Sequence, residues 1–302
     1  MYDTPILFLI FNREDTTQRV FDSIRQQKPK HLFVAADGAR KHKPGEAETC
    51  QRVRDIIKQV DWDCELKTLF RDENLGCKMA VSSAITWFFE NVEQGIILED
   101  DCLPDPSFFP YCEELLNRYK DDTRIGHITG NNFLSGTVEK AFSYDFCTYP
   151  HIWGWATWRR AWKNYDVNFP FWNEQKDKRS DLLHNKRETI YFSSFISDTI
   201  HNRNGINTWD IQWLFTLRTQ NQLTIYPAVN LVTNIGLGDS NAVHTSKKSK
   251  KYTISASAIS FPLRHPKCVV RNKKIDDATV KKLFFSWKRL ARYVLNKFFG
   301  LC

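Results

Sequence analysis

The feature that most restricts the fold is a regular alternation of short apolar runs with helical segments along residues 5–119. Each run is too short for a buried helix and is rich in aliphatic or aromatic side chains, as buried strands are. Strands that alternate with helices are typical of a parallel, three-layer α/β sheet. The predicted strands are PILFLIF (5–11), HLFVAAD (31–37), CELKTLF (64–70) and GIIL (95–98). We therefore predict an α/β fold, a mixed sheet flanked by helices.

Polar residues follow each of these predicted strands. In an open α/β sheet, ligands bind outside the carboxyl ends of the strands, so these tips should meet at one edge. Taken singly, each tip has an ordinary alternative as a turn or a helix start. The tips are Asn12 and Arg13, Asp37 and Gly38, Arg71 to Gly76, and Glu99 to Asp101.

The fourth tip carries three adjacent carboxylates, Glu99, Asp100 and Asp101, in the stretch GIILEDDCLPDPSFFPY. Like charges at one strand end repel one another unless a cation lies there or the side chains reach solvent. The alternative is a solvated loop whose Asp105 caps the next helix, with Pro106 at its first position. The sequence contains neither GxGxxG after the first strand nor a GxxxxGK[ST] loop. If phosphates bind here, a divalent metal on the carboxylates would neutralise them.

Composition limits the class of protein. The chain has 302 residues, 42% of them hydrophobic, which is enough for one large domain or two small ones. The first residues, MYDTPILFLIFNRED, lack the basic flank and cleavage site of a signal peptide. The eight cysteines show no CxxC pair, as expected for free thiols in a reducing compartment. We therefore expect a cytoplasmic protein.

Charge is distributed unevenly. The whole chain carries 43 Lys and Arg against 35 Asp and Glu, whereas residues 245–302 hold 15 basic residues and two acids. The remainder is thus net acidic, and the basic tail suggests an acidic partner. Residues 279–299 place apolar side chains on one face of a helix with six Lys or Arg, a pattern that fits an anionic membrane surface. The alternative is a helix that packs on the rest of the protein.

The order of these motifs, strand-FNR, strand-ADG, strand-RDENLG and strand-GIILEDDCLPDPSFF, resembles GT-A fold glycosyltransferases, which use nucleotide sugars. The stretch ILEDDCLPDPSFFPY is most similar to the N-acetylglucosaminyltransferase I type, and the similarity covers about residues 4–245. IWGWATWRRAW (152–162) and NIGLGDSNAVHT (234–245) also resemble a group of bacterial glycosyltransferases. This implies a catalytic domain over 1–245, with a nucleotide-sugar half to about 105 and an acceptor half over 106–245. Residues 246–302 would form a basic extension.

The resemblance also implies roles for individual residues. Arg13 would lie at the nucleotide phosphates, with Asn12 beside it, and Asp37 would hydrogen-bond a uracil ring. Lys78 falls where the family places a nucleotide-sugar contact that is often histidine, and Arg71 would lie on the same side. In the triplet, Asp101 would bind Mn²⁺ or Mg²⁺, while Glu99 and Asp100 would hold sugar or ribose hydroxyls.

Three segments of the second half are candidates for the acceptor side. Asp210, in GINTWDIQWLFTLRTQ (205–220), is the candidate general base by this resemblance; its alternative is an acid in the first turn of a helix. Trp153, Trp155 and Trp209 are candidate acceptor contacts, because tryptophan faces stack on sugars. The alternative places Trp155, Trp158 and Trp162 in a core stripe. His244 is a candidate second metal ligand or an exposed loop residue.

The sequence thus predicts a metal-dependent transferase, inverting through Asp210, that moves a sugar from a UDP-type donor to a glycan or lipid-linked glycan. We expect peripheral attachment to the cytoplasmic face of a membrane and no nucleic-acid partner, since a nucleic-acid-binding signature is missing. The competing hypothesis is an inactive protein on the same fold that binds sugars or nucleotides.

Overall fold

A computed structural model describes residues 2–134, 136–139, 141–174, 176–192, 207–237, 254–284 and 290–291. The first four strands alternate with helices, and each strand lies within two residues of its predicted position. These strands are β1 (Ile6–Ile10), β2 (His31–Ala36), β3 (Glu65–Phe70) and β4 (Gln94–Glu99). The helices between and after them are α1 (Glu14–Gln27), α2 (Glu46–Asp55), α3 (Gly76–Asn91) and α4 (Phe108–Arg118).

The remaining described residues add six strands, four of which join the same sheet. These elements are β5 (Cys102–Pro104), β6 (Ile125–Thr129), β7 (Tyr144–Cys147), β8 (Trp155–Trp158), β9 (Leu223–Pro227) and β10 (Val232–Asn234). The helices are α5 (Arg159–Trp162), α6 (Phe171–Glu174), α7 (Asp210–Thr219) and α8 (Lys273–Thr279). Short 3₁₀ segments cover Ile56–Gln59 and Lys176–Leu182, a π-helical turn covers Val280–Phe284, and residues 186–192 are also helical.

Within the described ranges, eight strands form one mixed sheet in the order β3-β2-β1-β4-β8-β6-β9-β7. The first four are parallel to one another, and β8 is antiparallel to both β4 and β6. A small second sheet pairs β10 with β5. The predicted mixed α/β sheet flanked by helices is therefore confirmed. The two predicted halves share it, because β8 of the second half pairs directly with β4.

Successive side chains of a strand point to opposite faces of the sheet, and the helices cover both faces. Even-numbered residues of β1, such as Phe8, pack with α1, α2 and α4. Odd-numbered ones, such as Leu9, pack with α3 and with tryptophans from β8 and α7. Because both faces are covered, the central strands read as continuous apolar runs.

The described part of the basic extension packs on the body of the protein. Ile275, Val280 and Leu283 are buried, the first two in a cluster with Tyr149 and Phe215. Asn272 donates its backbone N–H to the Phe146 carbonyl of edge strand β7 (2.7 Å). A boundary at residue 245 does not separate residues 254–284 from the core. The start of the predicted membrane helix, 280–284, fits the packing alternative, while 285–289 and 292–299 lie outside the described residues.

Seven cysteines are described, and all of them are free thiols, as predicted. Among the described residues, no helix is both long enough and apolar enough to cross a membrane.

Candidate functional site

The acidic triplet lies where β4 turns into β5. Glu99 is the last residue of β4, and Asp100 and Asp101 form the turn before Cys102. The pairing of β5 with β10 carries residues 235–237 over this turn, and Ile235 donates its N–H to the Asp101 carbonyl (2.8 Å). The turn is thus held between two distant parts of the chain.

Arg13 is the cation at this strand end. Its Nη1 lies 2.6 Å from Asp101 Oδ2 and 3.2 Å from Asp100 Oδ1. The parallel pairing of Leu9 with Glu99 aligns the ends of β1 and β4, which brings Arg13 beside the triplet. Burial opposes the charge of the guanidinium, but Asp100 and Asp101 outweigh it and raise the pKa of Arg13. The acids therefore have an internal counter-ion.

Glu99 differs from its two neighbours. Burial, together with the charges of Asp101 and Asp100, raises the pKa of Glu99 to about 8. The charge of Asp210 adds to this rise, although Asp210 is 111 positions away in the sequence. Burial also raises the pKa of the Cys77 thiol to about 12, with contributions from Glu99 and Asp210. The fold therefore brings the end of β4, the first turn of α3 and the first turn of α7 together.

The start of α3 is held by Asp37. Its carboxylate accepts hydrogen bonds from the backbone N–H groups of Gly38 (3.0 Å), Leu75 (2.9 Å) and Gly76 (3.0 Å), and from the side-chain amide of Asn74 (3.0 Å). A carboxylate offers about four lone-pair sites, and these four donors occupy them. The predicted hydrogen bond from Asp37 to a uracil ring is therefore corrected: this residue anchors the helix.

Asn207 also binds the start of α3. Its Oδ1 accepts the backbone N–H of Lys78 (2.7 Å), a residue whose side chain is half-buried in the first helical turn. The segment that leads into Asp210 is thereby tied to the same helix end as Asp37. Sequence reasoning missed Asn207, because asparagine in a polar loop gives no signal of a contact 129 positions away.

Asn12 and Arg71 have protein partners as well. Asn12 donates to Glu46 (2.9 Å), which is also bound by Arg40. Hydrogen bonds from Arg40 are the main cause that lowers the pKa of Glu46 to about 2. Arg71 donates to the Ser83 hydroxyl (2.7 Å). Sequence reasoning missed Arg40 and Glu46, because charged residues before and at the start of a helix are usually exposed to solvent.

Asp210 is the first residue of α7, directly after Trp209, and is half-buried. The Thr208 hydroxyl donates to its Oδ1. The position is that of the helix-start alternative, and it also places the carboxylate near Glu99. The two interpretations of Asp210 are thus compatible.

The tryptophans divide between core and surface. Trp155 and Trp209 are 0% and 2% exposed and stack with ring centroids 5.6 Å apart. The predicted acceptor role of Trp155 and Trp209 is therefore corrected, since protein covers their rings. Trp153 is half-buried against Phe133 (5.3 Å between centroids) and keeps its candidate role.

The core alternative is correct for Trp155, Trp158 and Trp162, although not as a helical stripe. Trp155 and Trp158 lie on strand β8 and enter clusters on opposite faces of the sheet, because they are three positions apart.

Two predicted metal ligands have different outcomes. Asp101 lies at the site, whereas His244 is outside the described residues. In the described part of the chain, no group of three or more His, Cys, Asp or Glu side chains is arranged to hold a metal ion. Asp100 and Asp101 nevertheless direct oxygens at one point, the Arg13 guanidinium.

The fold and this arrangement define an α/β protein with a charged site at the carboxyl ends of its parallel strands. No protein-family model matches the chain, and no curated protein matches it. Among solved structures, HddC from Yersinia pseudotuberculosis is similar over 55% of this chain and 80% of its own, at 11% identity and a TM-score of 0.32. The same protein complexed with GMP-PN gives the same identity and coverage, with a TM-score of 0.33. Scores this low assign neither a family nor an activity.

Proposed function

We propose that the protein is a glycosyltransferase of the GT-A type that transfers a sugar from a nucleotide-diphosphate donor, such as a UDP-sugar. The observation that carries the proposal is the meeting of Glu99–Asp101 with Asp210. A carboxylate triplet at a strand end, the arginine paired with it and a separate acid at the start of α7 would together supply a diphosphate site and a base. The resemblance of the ILEDDCLPDPSFFPY stretch supports the same assignment.

The carboxylates fit a hard divalent cation, Mn²⁺ or Mg²⁺. Asp100 and Asp101 present oxygens that converge on a position where a cation already lies. Magnesium in particular is commonly bound by one or two carboxylates together with substrate phosphates, so two protein ligands are enough. Asp101, with Asp100, would hold the ion, with His244 a further candidate outside the described residues. When bound, such an ion stabilises the negative charge of a leaving diphosphate.

The protein's own groups then divide the reaction between them. Arg13 balances the negative charge of the donor phosphates, and Lys78 and Arg71 contribute further positive charge on that side. Asp210 accepts the proton of the acceptor hydroxyl. The oxygen of that hydroxyl bonds to the anomeric carbon of the donor sugar, and the bond between this carbon and the nucleotide diphosphate breaks. Attack from the side opposite the leaving group inverts the anomeric centre. Trp153, half-buried against Phe133, is the proposed stacking partner of an acceptor sugar.

The acceptor is proposed to be a glycan or lipid-linked glycan at an anionic membrane. Support comes from exposed residues of the extension, where apolar Phe261 (43% exposed) and Val270 (66%) are interspersed with basic side chains. Those basic side chains are Arg264, Lys267, Lys273, Lys274, Lys281 and Lys282, all exposed. Basic groups near anionic lipid each contribute about 1 kcal/mol of attraction.

The decisive experiment separates binding from turnover. UDP- and GDP-sugars are screened with Mn²⁺ for thermal stabilisation, and the best donor is then assayed for release of nucleotide diphosphate. We expect Asp210→Asn to keep the stabilisation and to lose turnover by about 10²–10⁴-fold, the usual contribution of a general base.

The matched control is Asp63→Asn, which changes an exposed acid two residues before β3 and should keep full turnover. Stabilisation without turnover in the unmodified protein would favour the competing hypothesis, an inactive nucleotide- or sugar-binding protein. Full turnover by Asp210→Asn would show that another group is the base.

A further inference from the structure

Two carboxylates of the triplet share one arginine nitrogen. Asp101 Oδ2 and Asp100 Oδ1 lie 2.6 and 3.2 Å from Arg13 Nη1, and the three side chains are only 14%, 11% and 17% exposed. Charges so poorly solvated interact strongly, because little water screens them. The guanidinium therefore occupies the place to which a divalent cation would be drawn.

The surrounding backbone keeps Arg13 in this position. The parallel register of β1 and β4 fixes the distance between the two strand ends. Gly236 closes the site from the other side: a Cβ at this residue would lie 2.6 Å from Asp101 Oδ2 and 2.9 Å from Arg13 Nη1. Only a residue without a side chain fits this close approach, so the ion pair is packed rather than loose.

We propose that Arg13 is a built-in competitor of the divalent cation, which the site admits only when a diphosphate offers the guanidinium another partner. A guanidinium binds phosphate oxygens as well as carboxylates, so the exchange keeps its charge paired. Metal and diphosphate then strengthen each other's binding, and by linkage the two effects are equal. The inference rests on the proposed function only for the identity of the anion as part of a nucleotide sugar.

The test measures metal affinity directly, with the full-length chain, MnCl₂ and inorganic pyrophosphate as probes. Free Mn²⁺ is followed by electron paramagnetic resonance, with correction for the Mn²⁺–pyrophosphate complex. For the unmodified protein, we expect weak binding of Mn²⁺ alone and at least tenfold tighter binding with pyrophosphate. Arg13→Gln should bind Mn²⁺ alone at least tenfold more tightly than the unmodified protein, and pyrophosphate should tighten its Mn²⁺ binding less than it does in the unmodified protein, because only direct coordination by the phosphates remains.

Thermal unfolding supplies a second readout. Arg13→Gln leaves buried carboxylates without their counter-ion, so its Tm should fall by roughly 5–10 °C, and MnCl₂ should restore it. Arg25→Gln is the matched control, since it removes an exposed pair with Asp61 and should change neither Mn²⁺ affinity nor its dependence on pyrophosphate.

The proposal is overturned if Arg13→Gln binds Mn²⁺ no more tightly than the unmodified protein. It is also overturned if pyrophosphate leaves the Mn²⁺ affinity of the unmodified protein unchanged, a measurement that does not require the variant to fold. Absence of sugar transfer with every donor would defeat the proposed function and leave this result intact.

Discussion

At the scale of single residues, the repulsion among three adjacent acids is reduced because the acids do not all have the same environment. Arg13 pairs with Asp100 and Asp101, while the raised pKa of Glu99 favours its protonated form at neutral pH. The triplet could be recognised in the sequence as a site, but its counter-ion could not. Arg13 is 86 positions before Glu99, and only the register of two parallel strands brings them together.

Another residue-scale device is the buried His127. Trp213 donates its indole N–H to Nδ1 (3.1 Å), so Nε2 carries the proton and donates it to the His151 carbonyl (3.0 Å). Burial lowers the pKa of His127 to about 3. The neutral ring is thus fully bonded, and a charged ring would be buried without compensation.

This arrangement predicts a pH dependence of stability. An unfolded histidine titrates near pH 6.5, so between about pH 6.5 and 3 the unfolded state binds one more proton than the folded state. Stability contributed by neutral His127 is therefore lost as the pH falls through this range, by up to about 1.4 kcal/mol per pH unit. We expect His127→Gln to reduce the slope of unfolding free energy against pH by about that amount, as measured by urea unfolding from pH 7 to 4.5. The exposed His42→Gln serves as the control; an equal slope in His127→Gln and the unmodified protein would contradict the assignment.

At the scale of elements, the four parallel strands β1 to β4 were predictable from the sequence, whereas β8, which lies between β4 and β6, was not. Runs such as 32–36 are apolar throughout because strands in the middle of a covered sheet are buried on both faces. In β8, the tryptophan spacing of 155, 158 and 162 matches a helix as well as it matches a strand followed by a helical turn. Only the pairing with β4 and β6 decides between them, and pairing partners are not visible in a local pattern.

The segment 235–237, which follows β10, allows a test of how an element shapes the site. Gly236→Ala would place a Cβ 2.6 Å from Asp101 Oδ2 and 2.8 Å from Asp101 Cβ. We expect the crowding to move the Asp101–Arg13 pair, lowering stability by about 1–3 kcal/mol and altering Mn²⁺ affinity in the presence of pyrophosphate by about tenfold or more. Isothermal titration and urea unfolding measure the two effects.

Gly136→Ala is the comparison for this variant, because nothing lies within 4 Å of its added Cβ, although its φ of +77° makes alanine strained there. It should cost some stability and leave Mn²⁺ binding unchanged. Unaltered Mn²⁺ binding by Gly236→Ala would mean that the segment does not shape the site.

At the scale of the whole molecule, the sequence suggested a body over 1–245 and a basic extension over 246–302, and buried side chains within 254–284 pack against that body. The charge asymmetry that suggested separation is a property of exposed side chains. It carries no information about Ile275 or Val280, which are buried between those charges. The cluster they join is assembled from seven separate stretches of the described chain, which explains why no local pattern disclosed it.

This integration predicts the cost of a single truncation. Ile275→Ala removes a fully buried side chain and should lower the unfolding free energy by about 2–4 kcal/mol, as in other large-to-small core substitutions. Val270→Ala, five positions earlier and 66% exposed, should change it by less than about 0.5 kcal/mol. Equal effects of the two substitutions, measured by urea unfolding, would show that the extension does not contribute to the core.

Asp37 and Asn207 both accept hydrogen bonds from backbone N–H groups at the start of α3, and this makes one amide a reporter of local opening. The peptide hydrogen of Lys78 is protected from solvent only while the segment bearing the candidate base is docked, since its acceptor belongs to that segment. Deuterium uptake at the Lys78 amide, followed by NMR, would therefore measure how often the segment that contains Asn207 separates from the start of α3. It would register such openings without a substrate and without any label on the protein's surface.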